Sequence, residues 1–324
     1  MDSLRIGLSG GERLDPARFC AQTRLLIVAG KGGVGKTTVT AALARMAARA
    51  GLATLIVEVE GKSGLSTAFG AADLGYDEID LAAGIRARTL TPDQALLEYL
   101  EDHGMRRLSK RLANSGVLEV VSTAVPGIKD ILVLGKVKQL EREGPADLIV
   151  LDAPAAGHAV TFLTSARGLL DAVRVGPIRK QAEEVTELLT DPARCQVLLV
   201  TLPEETPVNE AVETEARLRE RVGVRLSAVV VNGLYPPLEG LDVDASTMNG
   251  VPAEDGKALR QAAAFRAARQ QLQEEQMARL AERMDLPQLH LPFVFSPELG
   301  PAEIESLAAA LTDAVESLEP AGAQ

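Results

Sequence analysis

The sequence predicts an α/β fold in which a doubly wound, mostly parallel sheet carries an inserted helical subdomain. Six short apolar runs alternate with stretches of helical periodicity: Leu25–Ala29, Thr54–Val59, Leu148–Leu151, Val197–Thr201, Ala228–Val231 and Gln288–Leu291. A continuous apolar run is typical of a strand that is buried on both faces, and parallel strands need crossover helices between them. We therefore expect one sheet with helices on both faces.

The inserted helices are predicted from the uneven spacing of these runs. Residues 61–147 separate the second run from the third, which is far more chain than one crossover helix needs. Leucines recur at helical spacing over residues 95–112, and further helices are predicted over residues 128–140 and 159–189, the last interrupted at Gly176–Pro177. The predicted organisation is an N-terminal extension (1–23), an α/β core (24–83, 146–158 and 191–318), a helical subdomain (84–145 and 159–190) and a frayed tail (319–324).

Composition and charge limit the functions that the chain can have. A net charge of -11 and an aromatic content of 3% disfavour nucleic-acid binding, which needs basic clusters and stacking side chains. The two cysteines, Cys20 and Cys195, belong to no Cys-x-x-Cys pair, so no zinc site is predicted. Neither a secretory leader nor an apolar stretch long enough to span a membrane is apparent. We expect a cytoplasmic protein without an integral membrane segment.

One motif points directly to nucleotide chemistry. The run Gly-Lys-Gly-Gly-Val-Gly-Lys-Thr over residues 30–37 satisfies the phosphate-loop (P-loop) pattern G-x-x-x-x-G-K-[ST], after a predicted strand and before an Ala-rich helix. Glycines let backbone N–H groups face phosphates, Lys36 can reach the β- and γ-phosphates, and Thr37 can ligate Mg²⁺. The predicted ATP-binding residues of the loop are Gly30, Gly32, Gly33, Val34, Gly35, Lys36, Thr37 and Thr38.

A second lysine at the start of this loop indicates a particular subclass of P-loop protein. With Lys31 the motif resembles the deviant Walker A loop of the subclass that includes ParA, MinD, nitrogenase iron protein and the ArsA/Get3 ATPases. In that subclass the extra lysine reaches across a dimer interface to the partner's nucleotide. The resemblance therefore implies that Lys31 is an intermolecular catalytic residue and that the chain works as a dimer.

The third apolar run ends in an acid that can complete a magnesium site. Asp152 follows Leu148–Leu151, where a Walker B carboxylate holds a magnesium-bound water, so Thr37 and Asp152 are the predicted metal residues. The run Asp-Ala-Pro-Ala-Ala-Gly-His over residues 152–158 resembles the D-T-A-P-T-G-H switch II of the ArsA/Get3 family. The resemblance implies that this segment senses the γ-phosphate.

A segment after the second run resembles the same family's switch I. Residues 60–69, Glu-Gly-Lys-Ser-Gly-Leu-Ser-Thr-Ala-Phe, are similar to D-P-A-H-S-L-S-D-A-F, but Glu60 replaces the family's water-orienting Asp. The resemblance implies a catalytic role for Glu60, and the longer side chain predicts slow or absent hydrolysis because in-line attack tolerates little misplacement. Glu58, two residues earlier on the same strand face, is a second candidate.

Two further positions resemble the family's adenine-binding elements. Asn232, at the end of the run over residues 228–231, matches the family's V-N at the base-recognition position. Pro292 opens a segment, residues 292–298, that is similar to the A-loop covering the base. The resemblance therefore implies that both residues contact the adenine base.

The resemblance extends from Leu25 to Leu311 and implies a function. The chain is expected to be an Mg-ATP-hydrolysing ArsA/Get3-like switch ATPase that couples nucleotide state to an unknown cargo, as a homodimer or as a heterodimer with a paralogous ATPase. The cysteines that bind zinc or metalloid in some members have no counterpart here. The alternative, motivated by Glu60, is a regulatory nucleotide-binding subunit that hydrolyses ATP poorly and serves a catalytic paralogue.

Overall fold

The fold is organised around one eight-stranded sheet. A computed structural model describes residues 14–59, 64–102, 104, 107, 127–154, 156–241 and 252–318. The strands are β1 (Leu25–Gly30), β2 (Thr54–Val59), β3 (Ile79–Ala82), β4 (Ile85–Leu90), β5 (Leu148–Asp152), β6 (Cys195–Thr201), β7 (Arg225–Leu234) and β8 (Gln288–Pro292). Their order is β3-β4-β2-β5-β1-β6-β7-β8, and every neighbouring pair is parallel except β3–β4. All six predicted strands and the mostly parallel α/β fold are confirmed.

Ten helices are present in the described part of the chain. They are α1 (Pro16–Cys20), α2 (Lys36–Arg49), α3 (Gly64–Phe69), α4 (Pro92–Asp102), α5 (Ile128–Glu143), α6 (Ala156–Ala172), α7 (Pro177–Thr190), α8 (Glu205–Arg221), α9 (Ala253–Arg283) and α10 (Pro301–Glu316). The predicted interruption at Gly176–Pro177 is the boundary before α7, where proline occupies the first helical turn.

Helices cover both faces of the sheet, as its doubly wound topology requires. Successive side chains of a strand point to opposite faces. Leu25 and Ile27 of β1 join a core with helices α5 to α8, whereas Leu26 and Val28 join a core with α1, α2 and α10. Strand β1 is therefore apolar on both sides, which explains its continuous apolar run.

The topology brings the P-loop and Asp152 to the same place. The chain passes from β1 over the position of β5 to β2, and later from β5 over β1 to β6. Strand β1 consequently lies between β5 and β6, at the switch point of an open α/β sheet, where ligands bind outside the carboxyl ends of strands.

Two strands were missed, and the predicted start of the helical subdomain at residue 84 is wrong. Strand β4 pairs in parallel with β2, and β3 pairs with β4 in antiparallel orientation at the sheet edge. In β4, Arg86 and Arg88 alternate with buried Ile85 and Ala87, so the segment lacks the continuous apolar run of the central strands. A strand with this polar alternation is typical of a sheet margin.

The predicted N-terminal extension, residues 1–23, is also corrected. Residues 1–13 lie outside the described residues, as does the predicted tail, residues 319–324. Leu14, Phe19 and Cys20 are buried in the same core as α2 and α10. The segment from residue 14 onward is therefore part of the α/β core.

The described helices of the predicted helical subdomain form a layer on the sheet. Helices α5, α6 and α7 pack against one another. Their buried side chains, including Leu134, Phe162 and Leu188, belong to the same core cluster as Ile27 of β1. The layer and the sheet therefore share one hydrophobic core.

This shared core predicts a global effect for a truncation in α5. Leu134 is fully buried, so Leu134→Ala should lower the free energy of unfolding by about 2–5 kcal/mol. Urea unfolding followed by circular dichroism should show one transition, and hydrogen exchange should show reduced protection of β1. The control Val175→Ala, at a position 82% exposed, should change the free energy by less than about 0.5 kcal/mol. Unchanged β1 protection in Leu134→Ala would show that the helices unfold as a separate unit.

Candidate functional site

The P-loop is a turn that only glycine can build at several positions. Gly33 and Gly35 have φ values of 87° and 88°, in the left-handed region. A Cβ at Gly30 would lie 2.3 Å from the carbonyl oxygen of Val200 on β6. A Cβ at Gly33 would meet nothing within 4 Å, so this backbone faces open space. The loop thus combines tight packing on the sheet with an accessible backbone surface.

The loop leads directly into α2, whose first turn lies at the same place. Gly35 is the N-cap of α2 and provides no side-chain cap, so the N–H groups of the first turn are available to a ligand. The positive end of the helix dipole favours an anion there. These features fit the phosphates of a nucleotide.

The predicted phosphate-binding and metal residues meet in the structure. The Lys36 ammonium donates a hydrogen bond to the Lys31 carbonyl at 3.2 Å, across the loop. The Thr37 hydroxyl donates to Oδ2 of Asp152 at 2.6 Å. Asp152 ends β5 with 7% of its surface exposed. A hydroxyl and a carboxylate oxygen are hard donors of the kind that Mg²⁺ prefers, so the donor set fits this ion.

A second buried carboxylate lies beside Asp152. Glu58 on β2 is opposite Asp152 in the parallel register, and both face the α2 side of the sheet. Glu58 is 2% exposed, and its Oε2 accepts a hydrogen bond from the Thr89 hydroxyl of β4 at 3.2 Å. Glu58 therefore lies beside Asp152, the predicted metal residue, and remains the second candidate for orienting water.

The flanks of the two predicted switch segments also lie at the site. Glu60 falls outside the described residues, but α3 begins at Gly64, where a Cβ would lie 3.0 Å from Cγ2 of Thr37. Helix α6 begins at Ala156, shortly after Asp152. Both segments are thus connected to residues that touch the P-loop.

Lys31 makes a contact that the sequence did not reveal. Its Nζ is 2.8 Å from Oε1 of Glu210 on α8, in a partly exposed ion pair. The two residues are 179 positions apart, so no local pattern connects them.

Asn232 supports the P-loop from the neighbouring part of the sheet. It lies within β7, and its Nδ2 donates to the Val34 carbonyl at 2.9 Å. A Cβ at Gly35 would lie 2.4 Å from this same nitrogen. The structure therefore shows a contact of Asn232 with the loop, while its base contact stays a prediction.

Pro292 ends β8 beside a cluster of aromatic side chains. The next residue, Phe293, donates its backbone N–H to the Leu234 carbonyl at 2.7 Å. The rings of Tyr235, Phe293 and Phe295 have centroids 4.8–5.9 Å apart. Tyr235 follows β7, the strand of Asn232, whereas Phe293 and Phe295 follow the neighbouring β8, so the two predicted base-binding elements are adjacent in the fold.

The cysteines have no place in this site. Burial, with a smaller contribution from Asp15, raises the pKa of Cys20 to about 12, and burial raises the pKa of Cys195. Both thiols are therefore protonated at neutral pH. In the described ranges no group of three or more His, Cys, Asp or Glu side chains could hold a metal ion.

The contact of Asn232 predicts an effect on phosphate binding. Asn232→Ala removes the donor to Val34, and loss of one such hydrogen bond should weaken nucleotide binding roughly three- to tenfold. Calorimetry should show this loss with inorganic tripolyphosphate, which has no base, and a larger loss with ATP, because the predicted base contact is removed as well. Asn209→Ala, the same change on α8 where the amide accepts from Arg279, is the control and should leave both affinities unchanged. A loss confined to ATP would assign Asn232 to the base.

Comparison with known proteins agrees with this geometry. The family model described as anion-transporting ATPase matches residues 23–174, which include the P-loop, Glu58 and Asp152. ATPase BagA of Mycobacterium tuberculosis is 32% identical over 263 residues, 77% of each chain. A putative arsenical pump-driving ATPase of Halobacterium salinarum is 26% identical over 312 residues, covering 90% of this chain and 45% of the relative.

A further relative is matched over a smaller share of its length. The arsenical pump-driving ATPase of Escherichia coli is 31% identical over 212 residues, which are 64% of this chain and 34% of that protein. No helix in the described ranges is both long and apolar enough to cross a bilayer. The P-loop lies at the switch point of a parallel sheet, and a carboxylate lies beside its threonine. Together with the family-model match and these relatives, this arrangement shows that the chain belongs to the anion-transporting ATPase family of ArsA/Get3-like ATPases.

Proposed function

We propose that this ATPase binds Mg-ATP at the P-loop and acts as a nucleotide-switched dimer. The observation that carries the proposal is the 2.6 Å hydrogen bond between Thr37 and Asp152, beside a glycine loop whose backbone faces open space. Hydrolysis of ATP requires positioning and neutralisation of charge more than covalent chemistry. The residues around this bond are suited to both tasks.

Each residue has a separate role in this proposal. Backbone N–H groups of the loop and of the first turn of α2 hold the phosphates, and Lys36 neutralises their charge. Thr37 and Asp152 hold Mg²⁺, partly through water, and the ion supplies further charge neutralisation when bound. Glu60 or Glu58 orients the attacking water. Asn232 and Pro292 complete the base site.

The dimer is proposed because of Lys31. This lysine is on the accessible side of the loop, with 37% of its side chain exposed, and a flexible four-carbon stem lets its ammonium move. In the proposed dimer the partner's Lys31 reaches the nucleotide. The partner is a second copy of this chain or a paralogous ATPase.

The coupling to cargo is proposed to run through α6. This helix starts shortly after Asp152, and its buried residues, including Phe162 and Leu163, pack in one core with α5 and α7. A change at the γ-phosphate would therefore move a packed helical layer and not a free loop. The cargo itself is an unidentified protein or small molecule.

The second candidate function is a regulatory nucleotide-binding subunit. Its motivation is Glu60 in place of the family's water-orienting Asp. Such a subunit would bind Mg-ATP at the same site, hydrolyse it slowly, and serve a catalytic paralogue in a heterodimer.

Two lysine variants test nucleotide binding and dimerisation separately. Lys36→Ala should weaken ATP binding roughly 10- to 150-fold, because it removes a charge-assisted contact. Lys31→Ala should retain ATP affinity in the monomer and lose the ATP-dependent dimer. Calorimetry measures the first effect, and light scattering with a non-hydrolysable ATP analogue measures the second.

Each lysine variant serves as the control for the other. Circular dichroism should show both folded, because both side chains are partly exposed. An unchanged ATP affinity in Lys36→Ala would refute the proposed phosphate site. A Lys31→Ala protein that dimerises as wild type would refute the intermolecular role.

The catalytic acid is tested by single-turnover hydrolysis at saturating ATP. Glu60→Gln should retain Mg-ATP affinity but reduce the rate on the order of 10²- to 10⁴-fold, because the amide lacks the charge that orients water. Glu60→Asp, which restores the family's residue, should raise the rate. Glu58→Gln is compared in the same assay because Glu58 lies beside Asp152.

Other outcomes of this assay have defined meanings. Brisk hydrolysis that is lost in Glu58→Gln and kept in Glu60→Gln would transfer the role to Glu58. A wild-type rate near background, unaffected by either change, would favour the regulatory subunit. Glu213→Gln, on the exposed face of α8, is the control and should match wild type.

A further inference from the structure

The contact of Lys31 with Glu210 has a consequence for assembly. Glu210 lies in the second turn of α8, and its Oε1 accepts a hydrogen bond from Nζ of Lys31 at 2.8 Å. The two side chains are 37% and 39% exposed. The pair therefore lies at the surface next to the P-loop, where a second protomer can reach it.

An ammonium group has three N–H donors, but the side chain of Lys31 can extend in only one direction at a time, toward a carboxylate of its own chain or toward another chain. In the proposed dimer Lys31 binds the phosphates of the partner's nucleotide, so its ion pair with Glu210 must open first. ATP carries more negative charge than ADP, so it competes better with the carboxylate for the lysine. Binding of Lys31 to ATP would thus offset the free energy of opening the pair more fully than binding to ADP.

We infer that Glu210 is an intramolecular latch for Lys31 and that Glu210 lies on the surface that contacts a second copy of this chain. This inference rests on the proposed dimer and adds its regulation. The latch keeps Lys31 within its own chain until a nucleotide-loaded partner arrives. Glu210 acts through Lys31, so it is a positioning residue and not a catalytic one.

The expected size of the effect follows from the exposure of the pair. An exposed ion pair changes an equilibrium by roughly 1.5- to 5-fold, and a homodimer opens two of them. Removing the latch should therefore tighten the ATP-dependent homodimer by about 2- to 30-fold. The effect should shrink at high salt, since the Debye length falls to about 3 Å at 1 M.

The experiment compares Glu210→Gln with wild type and with a matched control. Glu213→Gln makes the same chemical change one turn away on α8, where Glu213 pairs with Arg217 at 3.1 Å. Dimer dissociation constants are measured by light scattering over protein concentration, with Mg²⁺ and a non-hydrolysable ATP analogue or ADP, at low and high salt. Glu210→Gln should form a tighter dimer at low salt and more dimer with ADP, and Glu213→Gln should match wild type.

The outcomes separate this inference from the proposed function. If wild type dimerises with the ATP analogue and Glu210→Gln dimerises equally or more weakly, the latch is refuted and the proposed dimer stands. An equal gain from Glu213→Gln would also refute the latch, because it would reflect general charge reduction on α8. A wild-type chain that stays monomeric with the analogue would overturn the homodimer and the latch together, whereas ATP binding by calorimetry would still stand.

Discussion

The hydrogen bond between Thr37 and Asp152 is the contact on which the arrangement of the site depends. It joins the first turn of α2 to the end of β5, two elements that are more than a hundred residues apart in the chain. The bond can form only because β1 lies directly beside β5, and that adjacency follows from the crossing connections of the sheet. The same adjacency brings Glu58 of β2 next to Asp152. This strand order therefore brings together the phosphate loop, the predicted metal residues and a candidate acid.

The two lysines of the P-loop both have hydrogen-bond partners within their own chain. The ammonium of Lys36 donates a hydrogen bond to a backbone carbonyl of the loop, and that of Lys31 donates to a carboxylate on α8. Hydrogen bonds that involve an ionised group are stronger than neutral ones, so both contacts favour one geometry of the loop. In the proposed function the incoming phosphates take over these ammonium groups. Nucleotide binding then replaces hydrogen-bond acceptors of the chain, a backbone carbonyl for Lys36 and a carboxylate for Lys31, with phosphate oxygens.

The sequence predicted the central features well because they are local patterns. Continuous apolar runs identified the six central strands, and the glycine spacing identified the P-loop beside its strand and helix. Strand β4 was missed because arginines interrupt its apolar pattern, and β3 was missed because it has only four residues and is interrupted by Asp80. The Lys31–Glu210 pair and the bond from Asn232 to the loop join residues 179 and 198 positions apart, and no local rule predicts such contacts. The helical layer was predicted as a subdomain because periodicity shows that a helix is amphipathic but does not show which surface it covers.

The bond from Asn232 to the P-loop has a consequence for how the protein is made. The loop follows the first strand of the sheet, yet the neighbours that hold it on β5, β6 and β7 are synthesised much later. At about 5–20 residues per second, the ribosome needs roughly 10–40 s to extend the chain from Gly30 to Asn232. Until β5 has been synthesised, β1 and the glycine loop that follows it have neither of the two native strand partners of β1. High contact order of this kind slows folding, so the nucleotide site is completed only after most of the polypeptide has left the ribosome.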